Sequence, residues 1–392
     1  MAKSHKRAAL GITLVMLMPL LSGCWDRVET NDMAFVLTSS IDLEEDGKYR
    51  ISYMFPLPGH MGGASGGGGG TSGSKSYYID SEVGDTLRQA TYRLQKRMAR
   101  QISLSHRRTV IVGEELAKKG IHVLFDAVPR LPENRLTNFL IVTKGKGYEL
   151  LNAEPKFERF PAEAIRELAK SAQAMPLTVK DVGLSLSFGS DPVVTYMEPK
   201  KSQKGKKPSE EIELVGYAQF RRDRMVGVYK DDAADGLMWM RNKLRNQLIT
   251  LSTNSGKGVS ILVMDGKTEI KPYLEGDQVS FRIDLIVVGK IREDLTDEDM
   301  NNPELIHKIE KQLGEKVKEN VLKSIRQMQK EGTDSSQLGL LVWRKYPYEW
   351  RNRLESGWRE QFKKASFQVD VYPSITETGL INQNVVKDEV KK

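Results

Sequence analysis

Residues 303–329 read PELIHKIEKQLGEKVKENVLKSIRQMQ, and this stretch decides the architecture of the region around it. At 100° per residue, Ile306, Ile309, Leu313, Val317, Val321 and Met328 fall on one broad arc, while Lys308, Glu315, Glu319, Lys323 and Arg326 occupy the opposite one. One apolar and one charged face over that length mean a long helix laid along a sheet. The apolar spacing drifts from a strict heptad, which argues against a coiled coil. Thr296 with Asp299 resembles a capping box ahead of the helix. Upstream, apolar segments at 259–264, 267–274 and 279–291 read as strands, the first two separated by an Asp265-Gly266 turn. Downstream, 338–343 reads as a strand, 347–362 as a helix carrying Trp350, Leu354 and Trp358, and 367–371 as a final strand.

Toward the N-terminus the same alternation continues. Strands are expected at 182–188, 192–197, 211–220 and 224–230, then a helix over 233–248. The first region opens on a hairpin, 33–41 and 49–55, with Asp46-Gly47 at its turn. A strand at 75–80, a helix to Arg100, a strand at 102–112, helices at 114–120 and 121–128, a strand at 136–143 and a helix over 160–174 follow. The expectation is a multi-domain α+β chain with mixed β-sheets each packed by helices. Its parts are a signal segment 1–23, an N-terminal α/β domain 24–175, a small middle α+β domain 176–252 and a C-terminal α+β domain 253–392. Residues 59–74 hold nine glycines and form a low-complexity loop within the first domain.

The N-terminal segment explains the compartment. Lys3, His5, Lys6 and Arg7 precede an apolar run over 8–21, too short for a span that needs about twenty residues. Leu21-Ser22-Gly23-Cys24 then places small residues before the single cysteine of the chain. This is the pattern of lipoprotein processing, with cleavage before Cys24 and diacylglycerol and an N-acyl chain such as palmitate attached to that residue. Each buried methylene contributes about 0.8 kcal/mol, and two chains suffice for stable anchoring. The mature chain would be tethered without crossing the membrane. Its lone cysteine excludes an intramolecular disulfide.

Composition narrows the chemistry. The formal charge of +8 falls to about +5 once the signal segment is removed, and 29% of residues are charged with both signs interspersed. That balance suits work beside anionic lipid and does not indicate nucleic acid. Lys200, Lys201, Lys204, Lys206 and Lys207 cluster in one segment, a solvated hairpin tip or a contact with a membrane surface. His60, His106, His122 and His307 have no paired spacing that would hold zinc. Gly266-Lys267-Thr268 ends like a phosphate loop, but Ile261 stands where the first glycine belongs. Gly63-Ala64-Ser65-Gly66-Gly67 matches a nucleophile elbow only formally, because glycine flanks it on both sides. Trp343, Tyr346, Tyr348, Trp350 and Trp358 read as core at helical spacing rather than as a ligand platform. No catalytic, cofactor or metal residues are expected, and no cofactor beyond the lipid on Cys24.

Several ordered pieces carry a resemblance. They are Cys24-Trp25-Asp26-Arg27-Val28-Glu29; Ser105-His106-Arg107-Arg108-Thr109-Val110 running to Gly120-Ile121; Arg130-Leu131-Pro132-Glu133-Asn134-Arg135; Gly216-Tyr217-Ala218-Gln219-Phe220; Gly236-Leu237-Met238-Trp239; and Pro347-Tyr348-Glu349-Trp350 to Trp358. In this order the chain resembles the Ger(x)C family of spore germination proteins, the lipoprotein C subunit of nutrient germinant receptors. The resemblance implies a three-domain α+β protein on the outer face of the spore inner membrane. It would act with a multi-span A-type subunit and a transporter-like B-type subunit, and the family supplies no catalytic residues. The alternatives are a solute-binding lipoprotein of a membrane importer and a lipid-anchored wall hydrolase.

Overall fold

The computed structural model describes residues 29–57, 76–252, 258–296 and 299–379. Cys24, the signal segment and the glycine-rich 59–74 lie outside the described residues.

The first sheet has eight strands. Its centre is β6 (Thr109–Gly113) and β7 (Phe139–Thr143), short apolar runs buried throughout most of their length. Strands that are apolar on both faces need cover on both sides, and parallel pairing with helical crossovers provides it. β2 (Thr38–Leu43) and β8 (Val193–Lys201) flank the pair in parallel, with Thr38 opposite Thr109, Thr109 opposite Phe139 and Ile141 opposite Thr195. Antiparallel strands finish each side: β3 (Tyr49–Pro56) and β4 (Tyr77–Gly84) beyond β2, β9 (Glu210–Arg221) and β10 (Arg224–Lys230) beyond β8. β1 (Met33–Phe35) pairs separately with β5 (Gln101–Ser103).

Alternation divides the core of this sheet. Val110 and Val112 face α1 (Leu87–Gln95), α2 (Glu114–Lys119), α3 (His122–Ala127) and α6 (Val179–Ser187) through Leu94, Leu116, Leu124 and Val182. Ile111 and Ile141 face α4 (Gly147–Leu151) and α5 (Pro161–Ala169) through Leu150, Leu151 and Ile165.

The second sheet runs β11 (Gln247–Ser252), β12 (Gly258–Glu275), β13 (Gln278–Asp294) and β14 (Ser366–Glu377). α7 (Asp231–Met240) joins the first sheet to it, and α8 (Pro303–Glu331) lies on it with Ile309, Leu313, Val317, Val321, Ile325 and Met328 buried. The apolar arc read from 303–329 is therefore the buried face. Asn302 caps the helix, its side chain accepting from Glu304 N at 3.0 Å, and Gly332 ends it at φ +61°. α9 (Leu338–Lys345), short turns at Pro347–Glu349 and Trp350–Leu354, and α10 (Trp358–Lys364) close the chain before β14.

Several expected elements differ. The strand expected at 182–188 is α6, and the strand at 338–343 is α9. Short apolar runs fit either period, and the decisive signal at α6 is a capping box between Thr178 and Asp181. The helix expected to reach residue 248 ends at Met240, because Asn242 and Asn246 adopt left-handed backbone at φ +53° and +50°. Asp265-Gly266 is no turn, since β12 passes through it with a bulge between Val263 and Asp265. Thr296 bonds Asp294 and does not cap α8. The strands expected at 33–41 and 102–112 each break in two, and 347–362 is interrupted around Trp350–Leu354. The proposed boundary at 175/176 separates no sheet, because β8, β9 and β10 continue the sheet that begins with β2.

Two glycines set how closely the parts approach. A Cβ on Gly236 of α7 would lie 2.0 Å from Asn320 O of α8, so the helices cross backbone to backbone there. A Cβ on Gly266 would lie 2.2 Å from the Trp239 ring. Gly266-Lys267-Thr268 is thus part of a strand that makes room for an indole. Asp232 on α7 also receives Lys316 at 2.9 Å and Lys323 at 2.6 Å from α8. Overpacking of this kind costs about 1–3 kcal/mol and more where backbone is hit. Gly236→Ala should lower stability in urea denaturation by about 3 kcal/mol, whereas Gly357→Ala, where a Cβ meets nothing, should stay within about 0.5 kcal/mol.

Candidate functional site

Past the end of α8, residues 333–337 turn back into the outer strands of the first sheet, and Thr333, Asp334 and Ser335 are buried. A buried polar turn is tolerable only when its groups are partnered. Gln219 of β9 donates to Thr333 Oγ1 at 2.6 Å while its own Oε1 accepts from Gln327 of α8 at 2.8 Å. Tyr229 of β10 donates to Ser335 Oγ at 3.0 Å, and half-buried Arg241 donates to Ser335 O at 2.7 Å. Gln337 reaches Ser185 of α6 at 2.7 Å. Burial raises the Tyr229 hydroxyl pKa and lowers that of the Arg241 guanidinium.

Two carboxylates organise the turn. Asp191, before β8, accepts from Arg222 N at 2.7 Å and Asp334 N at 2.9 Å. Asp334 accepts from Leu338 N at 2.7 Å and Gly339 N at 2.6 Å at the start of α9, and from Trp358 Nε1 at 3.1 Å. Burial pushes its pKa up to about 6, against the pull of the Gly339, Leu338 and Trp358 donors, and the charge of Asp191 adds to the rise. Beside them lies a cavity of about 160 Å³ lined by Asp191, Arg222, Asp334, Trp350, Trp358 and Arg359. The two indoles pack at 5.1 Å between centroids. Each carboxylate oxygen here already accepts a hydrogen bond. This geometry fixes two sheets relative to one another.

The residues singled out from the sequence are scattered. Lys200 and Lys201 end β8, with Lys204, Lys206 and Lys207 in the following loop, and all five are exposed. Lys200 pairs with Glu213 at 2.7 Å across the hairpin. Because β2, β6, β7 and β8 run parallel, this tip projects from the end of the sheet opposite the start of β2. His106 packs edge-on against Phe35, His122 meets Asp223 at 2.9 Å, and His307 lies 3.7 Å from Glu310 one helical turn on, so the three have separate partners. Among the described residues no group of three or more His, Cys, Asp or Glu is placed to hold a metal ion. No described helix is long and apolar enough to cross a membrane. Of the five aromatics, Trp350 and Trp358 come together, while Trp343 and Tyr348 are exposed and Tyr346 sits beside Lys345. Asp191 and Asp334 were not singled out, since a carboxylate bonding backbone 143 residues away leaves no local pattern.

Asp334 gives a pH signature. Its folded pKa lies above the ordinary 3.8, so it favours the fold when protonated; that contribution is complete below about pH 4 and is lost as pH rises through about 6. Asp235, also pushed up to about 6 by burial, titrates in the same window, so the useful quantity is the difference from a variant. Asp334→Asn should be more destabilising at pH 4 than at pH 7, by about 1–3 kcal/mol in paired urea denaturations.

Comparison with known proteins gives a consistent result. Two family models match in tandem, the spore germination protein N-terminal domain over residues 26–199 and the spore germination B3/GerAC-like C-terminal domain over residues 215–379. YfkR of Bacillus subtilis (strain 168) is 34% identical over 369 residues, covering 93% of this chain and 95% of its own. Spore germination protein KC of the same organism is 24% identical over 406 residues, covering 98% and 99%. The crystal structure of the GerBC protein shares the fold, with a TM-score of 0.57 at 18% identity over 86% of this chain and 96% of that one. The chain belongs to the Ger(x)C family of spore germination proteins.

Proposed function

We propose that this chain is the lipid-anchored C-type subunit of a nutrient germinant receptor on the outer face of the spore inner membrane. It serves germination signalling through contacts with multi-span A-type and transporter-like B-type subunits and performs no reaction of its own. The observation that carries this reading is the tandem family match, which begins two residues after Cys24 and runs to residue 379. The tether is short. Met33 of β1 lies nine positions beyond Cys24, so that strand is held within about 30 Å of the lipid. Confinement to a thin layer raises the effective concentration of the domains against membrane partners without new contacts.

The lysine tip is the surface we assign to anionic headgroups. Lys201 lies eight residues beyond Val193, about 26 Å along β8 at the usual strand rise. With a tether of about 30 Å against a strand run of about 26 Å, anchor and tip can reach one bilayer at the same time. The alternative, a solute-binding lipoprotein of an importer, draws no support from the 160 Å³ cavity, where the carboxylates are committed to backbone donors.

Two outcomes follow. Cys24→Ala should move the protein from the membrane to the soluble fraction and abolish the nutrient response, and retention of both membrane location and response would refute the reading. In the Cys24→Ala background, replacing Lys201, Lys204, Lys206 and Lys207 by glutamine should weaken sedimentation with phosphatidylglycerol vesicles at low salt. At roughly 1 kcal/mol per charge the loss should exceed about 100-fold, and an unchanged affinity would remove the tip from the membrane contact.

A further inference from the structure

Arg107 is 4% exposed and, among the described residues, makes no ion pair. It sits in the loop between β5 and β6, on the face of the first sheet covered by α1 and α3. Nη1 donates to Ser39 Oγ at 3.1 Å and Nη2 to Asn134 Oδ1 at 3.1 Å, while Nε has no hydrogen-bond partner. Both partners are neutral. The charged and titratable groups that bear on it are Arg88, which adds positive charge, the Tyr53 hydroxyl, and Glu133, whose carboxylate is solvent-exposed. Tyr53 already shares a hydrogen bond with Thr91 at 2.9 Å. A guanidinium removed from water without a counter-ion carries a desolvation cost of several kcal/mol.

Arg107 borders a cavity of about 30 Å³, more than a single water needs. Ser39, Tyr53, Arg88 and Asn134 supply its polar wall, and Ile51 and Leu104 are among its apolar side. Arg88 closes one margin by donating from α1 to Ala127 O of α3 at 2.9 Å. The residues come from β2, β3, α1, the β5–β6 loop and the segment after α3, so the pocket is a product of the fold. Arg107 and Asn134 belong to two of the sequence pieces that carry the family resemblance, and no other role in the structure uses the Arg107 charge.

We propose that this pocket binds the carboxylate group of a small aliphatic acid against Arg107 Nε, with Arg88 at the rim. A planar guanidinium edge matches a carboxylate with two parallel hydrogen bonds. The single uncompensated buried charge suits a monovalent anion, and the apolar wall accepts a one- or two-carbon tail while disfavouring strongly hydrated divalent anions. The inference is independent of the receptor reading, since it concerns a site within the first sheet and not the anchor.

The test uses the full chain in detergent, with thermal unfolding and calorimetry in sodium acetate, propionate, chloride and sulfate at equal ionic strength. Acetate and propionate should raise the melting temperature saturably, with chloride and sulfate without specific effect. Arg107→Met should weaken acetate binding at least tenfold. Arg88→Gln, at an exposed position that does not threaten folding, should weaken it severalfold and keeps the test decisive if Arg107→Met does not fold. Equal stabilisation by chloride, no saturable effect of acetate, or an unchanged acetate affinity in Arg88→Gln would overturn the assignment.

Discussion

The hydrogen-bonded return of residues 333–337 into β9, β10 and α6 is the constraint on which the rest of the architecture depends. α8 brings the apolar face that covers the second sheet, but its C-terminal end is fixed by groups of the first: Gln219, Tyr229 and Asp191. Low dielectric strengthens each bond of a buried polar network and penalises each orphan, and in this turn Thr333, Asp334 and Ser335 are partnered while Ser336 Oγ is left without one. This makes the junction specific. The two sheets have one relative placement in which Thr333, Asp334 and Ser335 all find partners, and the close crossing at Gly236 enforces the same placement through sterics.

The long helix was legible because its 3.6-residue period repeats over many turns, enough to separate a buried arc from a charged one. Elements of eight or nine residues did not offer that redundancy. α6 and α9 each carry an apolar run that suits a strand equally well, and only the Thr178–Asp181 cap distinguishes the first. The junction was invisible for a different reason. Asp191 and Asp334 are ordinary acids in sequence, and their importance comes from backbone donors brought near by the whole fold. Arg107 is intermediate, since the Ser-His-Arg-Arg piece was recognised as a mark of resemblance but nothing in the sequence said that the first arginine would be buried without a counter-ion.

Placing the family matches on the sheet clarifies how the parts combine. The two models meet between residues 199 and 215, which is the tip of the β8–β9 hairpin, so their boundary crosses a continuous sheet rather than a linker. β9 and β10 complete the first sheet and also hold the end of α8. The second half of the sequence thus begins inside the first structural layer. An arrangement of this kind transmits position, because displacement of one sheet carries the other with it. That property suits a protein whose proposed task is to hold surfaces at a membrane.

The proposal that an N-terminal lipid anchor contributes location can be measured directly by replacing residues 1–24 with the single-span anchor of an unrelated outward-facing membrane protein and scoring the nutrient response of spores. A response restored to near the native level is the expected result, because the same domains would again be confined to the same layer. A correctly inserted, stable, membrane-bound chimera with no response would contradict it, since the lipid itself, and not the position it confers, would then be required.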